Sequence, residues 1–399
     1  MPLMNIDDPG SGPDPRFALL NLGFRPFFLS AGIAALVLIV VWLYSYIRGQ
    51  FEPLYYDSVT WHSHEMLFGY TVAVIAGFLL TAVRNWTGRQ TPSGIALGGL
   101  VTVWLAGRIV PFLSSELPHW MIAAVDLAFL PVLVVTLSVQ LLRSGQKHNL
   151  VFLVLLTALA VANLMVHLQA LGLTQATAQP GTHFAVYLIV LLIAILGGRV
   201  IPFFTEKGVA GARTRQWKTV EYLSLGSLIV LMVFALIEVT PPAVVVVALL
   251  GAFAHGIRLR GWYQKEVWSV PLLWVLHLGY AWLVAGFALN ALSAAGVVNP
   301  ALAIHAFTAA GIGTVTLGMM ARVALGHTGR PLRAGTAMTW AFVLINLAGF
   351  CRVFMPLMVP GSYAAWIGLA GMLWSAAFAI MVITYTRVLI QPRIDGRPG

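Results

Sequence analysis

Trp61-His62-Ser63-His64-Glu65-Met66 heads an apolar run that carries no further charge until Arg84. A run of roughly 20 such residues crosses a bilayer core as one helix. The six residues therefore stand where a span enters the membrane. Ionisable groups at that depth are costly and mark function. Residues two apart on a helix point roughly 200° from one another, so His62 and His64 are expected to face opposite sides. They are expected to serve two neighbouring centres rather than one shared ion.

The rest of the chain has the same character. Of its 399 residues, 59% are hydrophobic and only 9% charged, against about 25% charged in a soluble domain. Apolar runs fall near 27–47, 61–83, 94–113, 118–142, 149–171, 183–204, 219–239, 241–258, 268–292, 300–324, 336–358 and 362–389. They are too long for barrel strands, and a backbone in lipid must satisfy its own hydrogen bonds. An all-α polytopic membrane protein of about twelve transmembrane helices follows. Only Thr240-Pro241-Pro242 separates the seventh run from the eighth.

The net charge of +10 comes from basic residues in short connections, which is a topology signal and no footprint for nucleic acid. Arg84, Arg89, Arg143, Lys147, Lys207, Arg213, Arg215, Lys218, Arg258, Arg260, Lys265, Arg330 and Arg333 fall on one side, joined by Arg393 and Arg397 of the tail. Arg48, Arg108 and Arg352 fall on the other. The positive-inside rule then puts both termini in the cytoplasm. The expected division is a cytoplasmic N-terminal segment over 1–26, a single membrane domain over 27–390 and a cytoplasmic tail over 391–399. Asp7, Asp8 and Asp14, with several Pro and Gly, make the first segment unlike a cleaved leader. One cysteine, Cys351, rules out an intrachain disulfide and a cysteine-rich metal site.

That orientation sorts the histidines by depth. His62, His64, His167, His183 and His305 fall in the outer part of their spans, and His277 lies nearer mid-membrane. His119 and His148 stand at loop edges, while His255 and His327 stand at cytoplasmic helix ends. Neutral imidazole is the commonest transition-metal ligand and also ligates haem iron. A plain interhelical hydrogen bond is the structural alternative, weightiest for His167 and His183. Haem also needs cations for its propionates, a role open to Arg108 and Arg352, whose alternative is snorkelling to the interface. Glu65 lies three residues after His62 on roughly the same face, placed to orient a ligand or relay protons. Met66 is either a soft ligand or core packing. Asp126 and Glu238 are left without a role.

Gly69, Ala73 and Gly77, like Gly311 and Gly318, read as close-packing stripes between helices. Gly107-Arg108-Ile109-Val110-Pro111-Phe112 is echoed by Gly198-Arg199-Val200-Ile201-Pro202-Phe203, a faint trace of an inverted repeat. Gly326-His327-Thr328-Gly329-Arg330 reads either as an anion site or as a helix end and turn. No phosphate loop, dinucleotide fingerprint or cysteine–histidine pair suited to nucleophilic catalysis is present.

Several phrases together carry a family resemblance. They are Phe24-Arg25-Pro26-Phe27-Phe28, Trp61 to Gly69, Ala76 to Val83 with Asn85-Trp86-Thr87-Gly88, Gly198 to Thr205, and the block His305 to Arg330. Running from the first span to the tenth, they resemble the NnrS proteins, bacterial inner-membrane proteins of the nitric oxide response. The resemblance implies b-type haem and copper, and protection from nitric oxide or nitrosative stress. Twelve spans and six histidines also parallel the haem–copper oxidases and nitric oxide reductases in architecture, with the histidines distributed differently.

The expectation is a membrane oxidoreductase that reduces or otherwise removes nitric oxide, fed by an unidentified electron donor. His62, His64, His305 and His277 are its expected haem and metal ligands, with His167 and His183 as further metal ligands. Glu65 is its expected catalytic group, and Arg108 and Arg352 are its propionate anchors. The rivals are a haem- or metal-handling or sensing protein without turnover, and a twelve-helix transporter.

Overall fold

In the computed structural model, residues 17–49 and 55–396 are described, and among them every regular element is helical. Asp7, Asp8 and Asp14 of the expected N-terminal segment, and Arg397 of the tail, lie outside the described residues.

Twelve helices succeed one another: α1 (Phe24–Arg48), α2 (Ser58–Thr87), α3 (Gly94–Leu113), α4 (His119–Ser144), α5 (Lys147–Ala170), α6 (Ala178–Gly208), α7 (Lys218–Phe234), α8 (Pro241–Trp262), α9 (Pro271–Ala294), α10 (Pro300–His327), α11 (Thr336–Met358) and α12 (Pro360–Ile390). Among the described residues, eleven are long and apolar enough to cross a membrane. The exception is α7, whose 17 residues end well short of the expected 239. Thr240-Pro241-Pro242 explains the break, because proline disfavours helical backbone in the residue before it and starts α8 at its own first turn.

Capping fixes the two ends that matter most for the site. Asp57 accepts from the amides of Val59 and Thr60, both at 3.0 Å, and starts α2 just ahead of the histidines. Asn299 accepts from the Ala301 amide at 2.9 Å, with Pro300 at the first helical position of α10.

Both helices then widen in the same way. Glu65–Thr71 in α2 and Ala306–Ile312 in α10 are π-helical, each beginning on the residue after a histidine. Such segments cluster at functional sites, because the extra residue per turn re-aims the side chains on either side.

Burial identifies the inner helices. The apolar window of α2 is 83% buried and that of α6 78%, with α9 and α10 at 72%, whereas α8 reaches only 28%. Histidine-bearing α2, α6 and α10 are thus central, and lipid-facing surface is left to the outer helices. The first and last described segments meet at one end of the bundle: the Ala18 amide donates to the Ile390 carbonyl at 2.8 Å, and Arg25 Nη1 to Leu389 and Gln391 carbonyls at 2.9 and 2.7 Å.

Candidate metal and cofactor site

The two histidines of α2 enter different surroundings. His64 turns into a buried polar cluster made with α3, α4 and α5. Its Nε2 stands 3.1 Å from Asp126 Oδ2 and 2.9 Å from Asn163 Oδ1, and its Nδ1 3.1 Å from Glu65 Oε1. Asp126 Oδ2 also accepts from His167 Nε2 at 2.8 Å and from Asn163 Nδ2 at 2.9 Å. With that proton on Nε2, His167 Nδ1 accepts the hydroxyl of Tyr55 at 2.8 Å. Arg108 closes the cluster, bonded to Asp126 Oδ1 and 3.3 Å from Glu65 Oε2.

The donor set of His64, Asp126 and His167 offers three ligand atoms within 4.8 Å of one another, all on buried residues. Two carboxylates and one guanidinium leave one negative charge in this dry interior, neutralised by one proton or one monovalent cation. Two glycines make the close approach possible. A Cβ on Gly107 would lie 2.6 Å from Asp126 Oδ1, and one on Gly69 would lie 2.8 Å from Arg108 Nη1. Gly69 thus serves more than helix packing.

His62 lies instead on the wall of a cavity of about 750 Å³ between α1, α2, α6, α10, α11 and α12. Cofactor pockets range from roughly 300 to 1,000 Å³. His183 from α6 and His305 from α10 line the same space, together with Met66, Arg352 and the glutamines 169, 175 and 179. The His62 ring stacks on Trp42 with centroids 4.3 Å apart. His305 Nδ1 donates to the Ala301 carbonyl at 2.6 Å, which leaves Nε2 as the lone-pair nitrogen. Arg352 lies over Tyr363 at 5.7 Å, and its Nη1 finds no hydrogen-bond acceptor among the described residues.

Three expected site residues stand elsewhere. Arg108, expected beside a propionate, is committed to Asp126 and Glu65 and does not line the cavity; a buried cation takes the nearest carboxylates. Glu65 shares that commitment and faces the cluster. His277 joins neither group, its Nδ1 donating to the Leu273 carbonyl at 3.0 Å within its own helix.

The sequence reading left Asp126 without a role and missed Asn163, Tyr55 and Tyr56, all four buried around His64 and His167. Asp126 carried the one available signal, a carboxylate inside an apolar run.

It also missed a second buried network. His255, expected at a helix end, is fully buried, with Nδ1 2.6 Å from the Tyr280 hydroxyl and Nε2 3.0 Å from the Ser224 carbonyl. Arg258 donates to Glu221, Tyr280 and the Ala194 carbonyl, tying α6, α7, α8 and α9 together. Gly198 of the echoed phrase lies against the Arg258 guanidinium, where a Cβ would collide with it. In both phrases the glycine admits a charged group from another helix. The Gly326–Arg330 turn is covered by the tail: Arg393 Nη1 donates to the His327 carbonyl at 2.9 Å and the Ile394 amide to Thr328 at 3.2 Å.

These features define a polytopic α-helical membrane protein with buried histidines in one polar cluster and half-buried histidines around one cofactor-sized cavity. The family model for NnrS protein matches residues 18–393, nearly the whole chain, and the chain belongs to the NnrS family. Membership supports a membrane protein of the nitric oxide response. Among curated proteins, none matches the sequence.

Proposed function

We propose that the protein binds b-type haem in the cavity lined by His62, His183 and His305 and removes nitric oxide there, most simply by reduction. The cavity carries this reading: three imidazoles from three helices, one arginine and about 750 Å³ of space. The residues fit the group, since imidazole suits iron, and Arg352 Nη1 is an N–H in want of an acceptor beside the pocket. One cysteine excludes the two-cysteine attachment of a c-type haem. When bound, haem supplies a redox-active iron for a diatomic ligand.

The protein's own contribution is positional. The Ala301 carbonyl fixes the His305 tautomer, and Trp42 fixes the His62 ring plane. Copper is assigned to His64, Asp126 and His167, where two imidazoles suit the metal. Glu65, bonded to His64, would orient that ligand. We place the protein in the bacterial inner membrane with both termini cytoplasmic, on the basic residues of its connections.

The test is haem and copper content of the purified protein, followed by anaerobic nitric oxide uptake with an electron donor. Haem with uptake supports the reading. Haem without uptake gives the function to a handling or sensing protein, and absence of haem after haem-replete expression ends it. A transporter would bind neither cofactor.

A further inference from the structure

A second, smaller space adjoins the cavity. It measures about 60 Å³ and lies between α1, α2, α6, α9 and α10, with Val74, Ile75, Ile193, Leu276 and Val315 in its wall. Thr71 lines both spaces, so a single residue stands between them. Its rim at Phe78, Val200 and Met319 is half-buried, while the residues nearer Thr71 are buried.

The occupant follows from size and chemistry. A water molecule takes about 30 Å³ of liquid and needs two to four polar partners in a buried site. The pocket has two hydroxyls in its wall, and both are already used. Thr71 Oγ1 donates to the Met66 carbonyl at 2.7 Å, and Thr316 Oγ1 to the Ile312 carbonyl at 2.6 Å while also bonded to Tyr70. The exposed lining is otherwise hydrocarbon. Such a space stays dry and takes small apolar solutes, as apolar cavities take xenon. A porphyrin is far too large.

We infer that this pocket is a docking site for a small apolar gas on its way into the histidine-lined cavity, nitric oxide in the working protein. The identity of the gas rests on the proposed function, whereas the pocket's affinity for an apolar atom does not. Thr71 ends the π-helical segment of α2, and Thr316 bonds the carbonyl of Ile312, the last residue of the π-helical segment of α10, so the geometry that aims His62 and His305 also shapes the pocket.

Xenon is the first probe. Crystals of the full-length protein under xenon should show an atom between Thr71, Ile193 and Val315, lost in Val74→Phe. An empty pocket in the unsubstituted protein overturns the inference, and this arm needs no haem. The second arm follows nitric oxide recombination with the haem-loaded protein after flash photolysis. Val74→Phe and Ile193→Phe should slow the bimolecular phase several-fold, and Val154→Phe, on an exposed face of α5, should leave it unchanged. Folded, haem-loaded filling variants with the unsubstituted rate overturn it. Failure to bind haem would sink the cavity's function while xenon still decides the pocket.

Discussion

Asp126 Oδ2 and His64 Nε2 stand 3.1 Å apart although 62 residues separate them in the chain. The same oxygen receives His167 at 2.8 Å, and the other oxygen of that carboxylate bonds Arg108. One carboxylate thus organises four helices, and its loss has separable consequences for charge and for metal.

Asp126→Leu should be strongly destabilising. It leaves the Arg108 guanidinium, 9% exposed, with only the looser contact to Glu65. Removing one partner of a buried pair costs about 3–5 kcal/mol, read as a lower unfolding midpoint in detergent. The double variant Arg108→Met/Asp126→Leu should recover a large part of the loss. A double variant no more stable than the single one would show that the pair is not what holds α3 to α4.

Gly107→Ala tests the close approach rather than the charge. Its new Cβ would fall 2.6 Å from Asp126 Oδ1, so the carboxylate must move and take its hydrogen bonds with it. Overpacking of this kind costs about 1–3 kcal/mol. Gly256→Ala in α8, where the nearest atom would be 3.8 Å away, should be neutral. Equal melting shifts for the two variants would remove the cluster as the reason for Gly107.

How much of this was legible in the sequence depends on the kind of signal. Span positions follow from apolar length, and Thr240-Pro241-Pro242 marked the break that shortens α7. The divergence of His62 and His64 follows from helical spacing alone. The partners of His64 do not. Asp126 and Asn163 lie on other helices, and which faces meet is set by packing of nearly uniform apolar surfaces. Arg108 went to carboxylates rather than to the cavity because pairing depends on which helices are neighbours. The π-helical turns are also silent in the sequence, since no residue type demands them.

The second polar network makes a prediction about motion. Glu221 is the acidic partner that pins short α7, bonded to Arg258 at 2.7 and 2.5 Å. Its carboxylate is 28% exposed, so the pair stabilises less than a dry one. Glu221→Ala should raise amide hydrogen exchange in Lys218–Phe234 while leaving α2 and α10 protected. Exchange confined to other helices, or none at all, would show that packing alone holds α7.

The cavity histidines yield the most direct test of the proposed function. His62→Ala and His305→Ala should each lower haem content sharply, and exogenous imidazole should restore part of the absorption spectrum by entering the vacated volume. His277→Ala should retain full haem, because His277 lines neither the cavity nor the cluster. Arg352→Met should keep the haem but weaken its retention, as the propionates lose a cationic partner. His64→Ala should spare haem and lower copper, since His64 faces Asp126 and not the cavity. Pyridine haemochrome spectra and metal analysis read all five variants. Haem loss in His64→Ala equal to that in His62→Ala, in protein that is still folded, would merge the two centres into one and contradict the division made by the geometry of α2.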